Sequence, residues 1–151
     1  MIGDLIGKPG RAAVEALLPA LRDERGIDFV TANGENVAGG MGLTPSTAES
    51  LLANGVDVIT SGNHIWDKRE IYPFLEANDR VLRPLNYGTT GVPGRGWGVY
   101  HALDGTELDG RNLSRHGLPV AMRPCRAHEH HVVRRQFRRG ELEYVRQARP
   151  D

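Results

Sequence analysis

The chain has 151 residues, 39% of them hydrophobic, with 19 Lys/Arg balancing 19 Asp/Glu and a single cysteine, Cys125. That length suits one domain with a real core, and one thiol excludes an internal disulfide framework. No run approaches the roughly 18 apolar residues of a membrane span, and "MIGDLIGKPGR" lacks the basic start and apolar centre of a signal peptide, so a cytoplasmic setting is the expectation.

The zero net charge hides an asymmetry. Residues 1–100 hold 9 Lys/Arg and 12 Asp/Glu, whereas residues 101–151 hold 10 and 7, and all ten of those cations are arginine. Such a shift marks two kinds of sequence.

Met1-Ile2 reads as the stub of a strand, followed by the loop 3–10. In 11–26, Val14, Leu17, Leu18 and Leu21 recur at i, i+3, i+4, i+7, the stripe of an amphipathic helix. Gly26 stops it, and Pro19 inside it predicts a kink. Residues 27–33 form a strand and 34–43 a glycine-rich loop. Thr44 and Pro45 read as N-cap and first residue of a helix over 46–55. A third strand covers 56–60, a helix 68–78, and a short fourth strand 81–85. This alternation predicts parallel strands in βαβ units. A glycine-rich loop spans 86–98. Residues 101–151 show no sustained period, and an irregular, basic, Arg/His-rich tail is expected there.

The chemistry-bearing residues fall just after the strands. Asp4 follows the first, Glu35 and Asn36 the second, Asn63 and His64 the third. In open α/β sheets the ligand crevice lies outside the carboxyl ends of the strands, so these residues converge on one edge as a candidate metal and phosphate site. Carboxylate and amide oxygens suit hard cations, and imidazole extends the range to Mn, Fe or Zn. Paired ions can stabilise the attacking and leaving oxygens of a phosphoester, and a histidine can protonate the leaving oxygen. Singly, each residue has a plainer reading. Asp4, Asn36 and Asn63 suit turns, His64 suits a half-buried packing role, and Trp66 suits core or pocket wall. Asp67 suits the cap of a helix starting near Lys68, or else orients His64. "GKPGR" (7–11) lacks the spacing of a phosphate loop.

Taken together, "IGDLIGKPGR", "ANGENVAGGMGLTP", "GVDVITSGNHIWDKREI" and "RPLNY…PGRGWGVY" resemble the YmdB-like family of calcineurin-like metallophosphoesterases over about residues 1–100. The resemblance implies a four-layer α/β/β/α fold, two divalent ions (Fe, Mn, Zn or Mg) and hydrolysis of phosphodiesters such as 2′,3′-cyclic nucleotides. It further implies Asp4, Glu35, Asn36 and Asn63 as metal ligands, a metal-bridging hydroxide as nucleophile, and His64 as general acid.

Two departures shape the expectation. Family members start earlier, with a complete first strand, and continue to about 250 residues, where further histidine ligands occur. Of the tail's histidines, His128, His130 and His131 stand in a different context. The chain therefore reads as a truncated and impaired phosphodiesterase whose residues from about 101 come from a shifted frame or a broken gene, and a sheet with cropped edges is expected to aggregate or to pair with another copy. The alternative is a non-catalytic remnant that holds metal or nucleotide. Nucleic-acid binding by the arginines would depend steeply on salt; it is disfavoured because Asp104, Glu107, Asp109, Glu129, Glu141 and Glu143 dilute the charge.

Overall fold

The computed structural model describes residues 1–88, 90–113 and 121–124. Its first half is a three-stranded parallel sheet, β1 (Thr31–Asn33), β2 (Val58–Thr60) and β3 (Val81–Leu82), in the order β1-β2-β3. Helices α1 (Gly7–Arg25), α2 (Pro45–Ala53) and α3 (Ile71–Ala77) precede each strand in turn. This is the expected βαβ alternation. The N-terminal segment adds only isolated parallel bridges, Ile2 to Ala32 and Ile6 to Asn36, so the stub of the first strand docks beside β1 without forming a strand.

Local chemistry accounts for the helix ends. Thr44 caps α2 with Pro45 in its first turn, and Thr44 and Thr47 exchange backbone-to-hydroxyl bonds as a capping box. Gly26 closes α1 in the left-handed conformation, φ 58°, its N–H bonded to the Arg22 carbonyl. Helix α1 differs from expectation in three ways. It starts at Gly7, because Pro9 is tolerated in a first turn. It continues through Pro19 without interruption. Of the apolar stripe, Val14 and Leu18 are buried, whereas Leu17 and Leu21 are 57% and 40% exposed.

The register sorts the parallel sheet into two faces. Ala32, Ile59 and Val81 are mutual partners across the strands and share one face. They pack with Val14, Leu18, Ala48, Leu51, Ile71 and Leu75 from the three helices. Val58 and Leu82 point the other way and pack with Tyr100, flanked by Phe29 and Met122.

That second face is covered by sequence expected to be irregular. Strands β4 (Trp97–His101), β5 (Glu107–Arg111) and β6 (Ala121–Pro124) form an antiparallel sheet in the order β4-β5-β6. The irregular-tail expectation is therefore corrected for 107–111 and 121–124. Alternation aims Gly98, Tyr100 and Gly110 inward, where all three are buried. The β4–β5 turn is set by Gly105, φ 84°, and by Asp104, whose carboxylate accepts the Thr106 N–H and hydroxyl. Tyr100 donates to the Asp79 carbonyl at 2.7 Å. Burial, and after it the charge of Asp79, pushes its phenol above the ordinary value, which keeps it a neutral donor. Among the described residues the layers are thus helices, parallel sheet and antiparallel sheet, and none of the helices is long and apolar enough to cross a membrane.

Ile59 is fully buried at the centre of the parallel sheet. Ile59→Ala is expected to lower unfolding free energy by about 2–5 kcal/mol in urea denaturation; a loss well under about 1 kcal/mol would show that the helical face is not the main core.

Candidate functional site

Asp4, Glu35, Asn36, Asn63, His64 and Asp67 lie at the carboxyl edge of the parallel sheet, and all but Asn63 join one of two hydrogen-bonded groups. In the first, Asn36 Nδ2 donates to Asp4 Oδ1 at 2.7 Å. Asp4 is held there because Ile2 and Ile6, on either side of it, bridge to Ala32 and Asn36. The Gly7 N–H to Asn36 carbonyl bond, 2.9 Å, ties the start of α1 to the same point.

The second group centres on Glu35. Its Oε2 accepts the backbone N–H of His64 at 3.1 Å, and its Oε1 accepts Asn33 Nδ2 at 3.3 Å. The chain leaving β2 passes so close to this carboxylate that a Cβ on Gly62 would lie 2.5–2.6 Å from both oxygens and would displace the carboxylate from its bonds to Asn33 and His64. Residues Asn63–Trp66 then form a 3₁₀ turn. A 3₁₀ turn eclipses i and i+3, which explains how Asp67 Oδ2 comes to lie 2.7 Å from His64 Nδ1. Asp67 closes this turn, while α3 begins at Ile71. The helix-cap reading of Asp67 is therefore corrected in favour of contact with His64. Asn63 opens the turn and is exposed; the structure records no hydrogen bond from its side chain to Asp4, Glu35 or Asn36.

Two carboxylates and two amides make an oxygen donor set suited to a hard divalent cation. The bare glycine approach to Glu35, which any side chain would fill, fits such an ion. Among the described residues, no three His, Cys, Asp or Glu side chains converge to hold a metal. His128, His130 and His131 lie outside the described residues.

Three contributors were not identified from the sequence. Asn33 was read only as the end of a strand, although its amide braces Glu35 from two positions away. Gly62 lies within "GVDVITSGNHIWDKREI", which does not by itself reveal its close approach to Glu35. Asn112, 2% exposed, joins the two sheets at the site. Its Nδ2 donates to the carbonyls of Ser61, 2.7 Å, and Leu82, 2.8 Å. Its own carbonyl accepts the Leu85 N–H at 2.7 Å, and its N–H donates to the Gly96 carbonyl at 2.9 Å. Asn112, at the antiparallel sheet's margin, thereby ties the exits of β2 and β3 together, beside the direct bond from the Ser61 hydroxyl to the Leu82 carbonyl at 2.8 Å. No sequence period marked it.

Fold and site together define an α/β protein whose polar cluster occupies the ligand-binding edge of a parallel sheet. The chain belongs to the YmdB-like protein family, matching it over residues 1–132, a reach well past the residues 1–100 on which the sequence resemblance rests. It is 43% identical over 112 residues, 74% of its length, to the 2′,3′-cyclic-nucleotide 2′-phosphodiesterase of Bacillus subtilis, covering 42% of that protein. A solved structure from Thermus thermophilus, described as a hypothetical protein, superposes with TM-score 0.70 and 34% identity, over 99% of this chain and 52% of that one. A Mycoplasma pneumoniae structure, described as a novel phosphatase, gives TM-score 0.68 and 26% identity, over 91% and 50%. The chain spans about half the length of these relatives.

Asn112→Ala leaves the Ser61 and Leu82 carbonyls without that donor. It is expected to cost about 1–3 kcal/mol in denaturant unfolding, and unchanged stability would show that the bonds between the sheets contribute nothing net.

Proposed function

We propose that this chain carries a metal-dependent phosphodiesterase site for small cyclic phosphodiesters of the 2′,3′-cyclic-nucleotide class. The observation that carries the reading is the His64–Asp67 pair, 2.7 Å apart, attached to Glu35 through the His64 N–H. The name of the Bacillus subtilis relative supports the substrate class.

In this reading Asp4, Glu35, Asn36 and Asn63 offer oxygens to two divalent ions (Mn, Fe, Zn or Mg). When bound, such ions supply Lewis-acid charge to phosphoryl oxygens and make water a better nucleophile near neutral pH. The chain's own contribution is positional and acidic. As an imidazolium, His64 donates its Nδ1 proton to Asp67, which fixes the ring, and carries the transferable proton on Nε2. That proton passes to the leaving sugar oxygen as its bond to phosphorus breaks. Glu35, held by Asn33 and the His64 N–H, keeps the acid and the ligand edge at a fixed spacing. Gly62 leaves Glu35's oxygens uncovered.

A second reading is a domain that binds metal or nucleotide without turnover. It is favoured by the lack, among the described residues, of three converging His, Cys, Asp or Glu side chains.

Hydrolysis of bis-p-nitrophenyl phosphate with Mn²⁺, read beside Mn²⁺ binding by titration, separates the two. The phosphodiesterase reading expects turnover that falls roughly 10²–10⁴-fold in His64→Ala with Mn²⁺ affinity retained. It expects Mn²⁺ affinity itself to fall in Glu35→Ala. Mn²⁺ binding without turnover supports the second reading, and a folded protein showing neither overturns the phosphodiesterase reading and the metal-binding form of the second.

A further inference from the structure

Three aromatic side chains, Trp66, Tyr72 and Tyr87, form a contiguous group on the elements that follow β2 and β3, and the mechanism above uses none of them. Strands β2 and β3 are paired with Thr60 opposite Leu82. Adjacent strands lie about 4.8 Å apart, and each of these two runs into a 3₁₀ turn, Asn63–Trp66 after β2 and Leu85–Tyr87 after β3. His64 is four residues past Thr60 and Tyr87 five past Leu82, so the imidazole and the phenol occupy neighbouring exits of one sheet edge. Asn112 fixes their separation, because it bonds to Ser61, Leu82 and Leu85 together.

Trp66 joins the two turns. Its ring meets Tyr72 at 6.0 Å and 76°, and Tyr87 at 5.8 Å and 63°, both edge-on. Tyr72 also donates to the Trp66 carbonyl at 3.1 Å. The indole Nε1 is buried with no partner; the residue acts as a wall, its polar atom given over to packing. Tyr87 is the outer member, 41% exposed. An edge-on contact engages either the edge of Tyr87 or one of its faces, so at least one face lies outside it.

We propose that Tyr87 is a stacking platform for the nucleobase of a nucleotide whose phosphodiester lies at His64, with Trp66 and Tyr72 holding its ring in place. The inference rests on the phosphodiesterase reading and adds the determinant that distinguishes a nucleotide from a base-free cyclic diester. Aromatic stacking accepts every base, because each has a π-face, so the subsite selects for the presence of a base and favours the larger purine face.

The test compares adenosine 2′,3′-cyclic phosphate with glycerol 1,2-cyclic phosphate, the same five-membered diester without a base. Tyr87→Ala is expected to raise KM for the nucleotide roughly tenfold with kcat held, to leave the glycerol diester unaffected, and to be rescued by Tyr87→Phe. Equal losses on both substrates, or none on either, overturn the stacking role. Failure of the wild type to hydrolyse either diester overturns the phosphodiesterase reading instead. Equilibrium binding of adenosine 3′-monophosphate then decides stacking by itself: binding that weakens in Tyr87→Ala and returns in Tyr87→Phe supports it, and absent or Tyr87-independent binding overturns it.

Discussion

A parallel sheet must be buried on both faces, and this requirement organises the whole structure. Three helices can cover one side of β1-β2-β3, and they do so through Ala32, Ile59 and Val81. The other side presents Val58 and Leu82, which would face water if nothing followed β3. The antiparallel sheet answers that need with Tyr100 and Met122. Its position on the second face puts Asn112 against the exits of β2 and β3, so the element that completes the core also sets the spacing of the site.

The two ends of the parallel strands are treated differently. At the amino ends, charges are used for closure. Asp57 accepts the Val30 N–H at 2.7 Å and pairs with Arg22 at 2.9 Å, while Arg22 and Arg80 also bond to the carbonyls of Gly55 and Val56. At the carboxyl ends, the hydrogen-bond partners of Asp4, Glu35 and Asp67 among the described residues are amide or imidazole side chains and a backbone N–H. Asp4 and Glu35, with no cationic side chain bonded to them among the described residues, keep their charge available to a ligand, which a structural ion pair does not.

The legible part of the sequence was the part with strong local signals. Thr44-Pro45, Gly26 and the alternation of helix and strand runs rest on capping and periodicity, and the structure follows them. The residues at strand exits were legible for a topological reason: parallel strands bring successive exits to one edge. What stayed hidden depended on contacts distant in sequence. A side chain at Gly62 would disturb the site only because the Glu35 carboxylate, 27 residues earlier in the chain, lies against it. Asp67 looked like a cap because a 3₁₀ turn and an α-helix begin alike in sequence. Leu17 and Leu21 continued a stripe wider than the face α1 actually buries. The second sheet was overlooked for want of a period, yet Asp104-Gly105 between "WGVYHA" and "TELDGR" is a hairpin signal of the usual kind; the glycines at 98 and 110 interrupted the apolar alternation that would have made it plain.

The docking of the N-terminal segment by isolated bridges at Ile2 and Ile6 has a consequence for ion affinity. Asp4 sits on a segment joined to the sheet by isolated bridges and the backbone bonds of Ile2 and Leu5, whereas Glu35 and His64 follow the paired strands β1 and β2. Segments with few backbone bonds open locally at far lower free energy than the core. An ion held by both Asp4 and Glu35, as proposed above, would draw on the closed fraction of such a local equilibrium, and its apparent affinity would scale with how often residues 1–6 are seated. Under the proposed metal role, ion binding and seating of this short segment would be one linked process, and slowed amide exchange at Ile2 and Leu5, whose N–H groups bond to the carbonyls of Thr31 and Asn33, would report occupancy of a site several residues away.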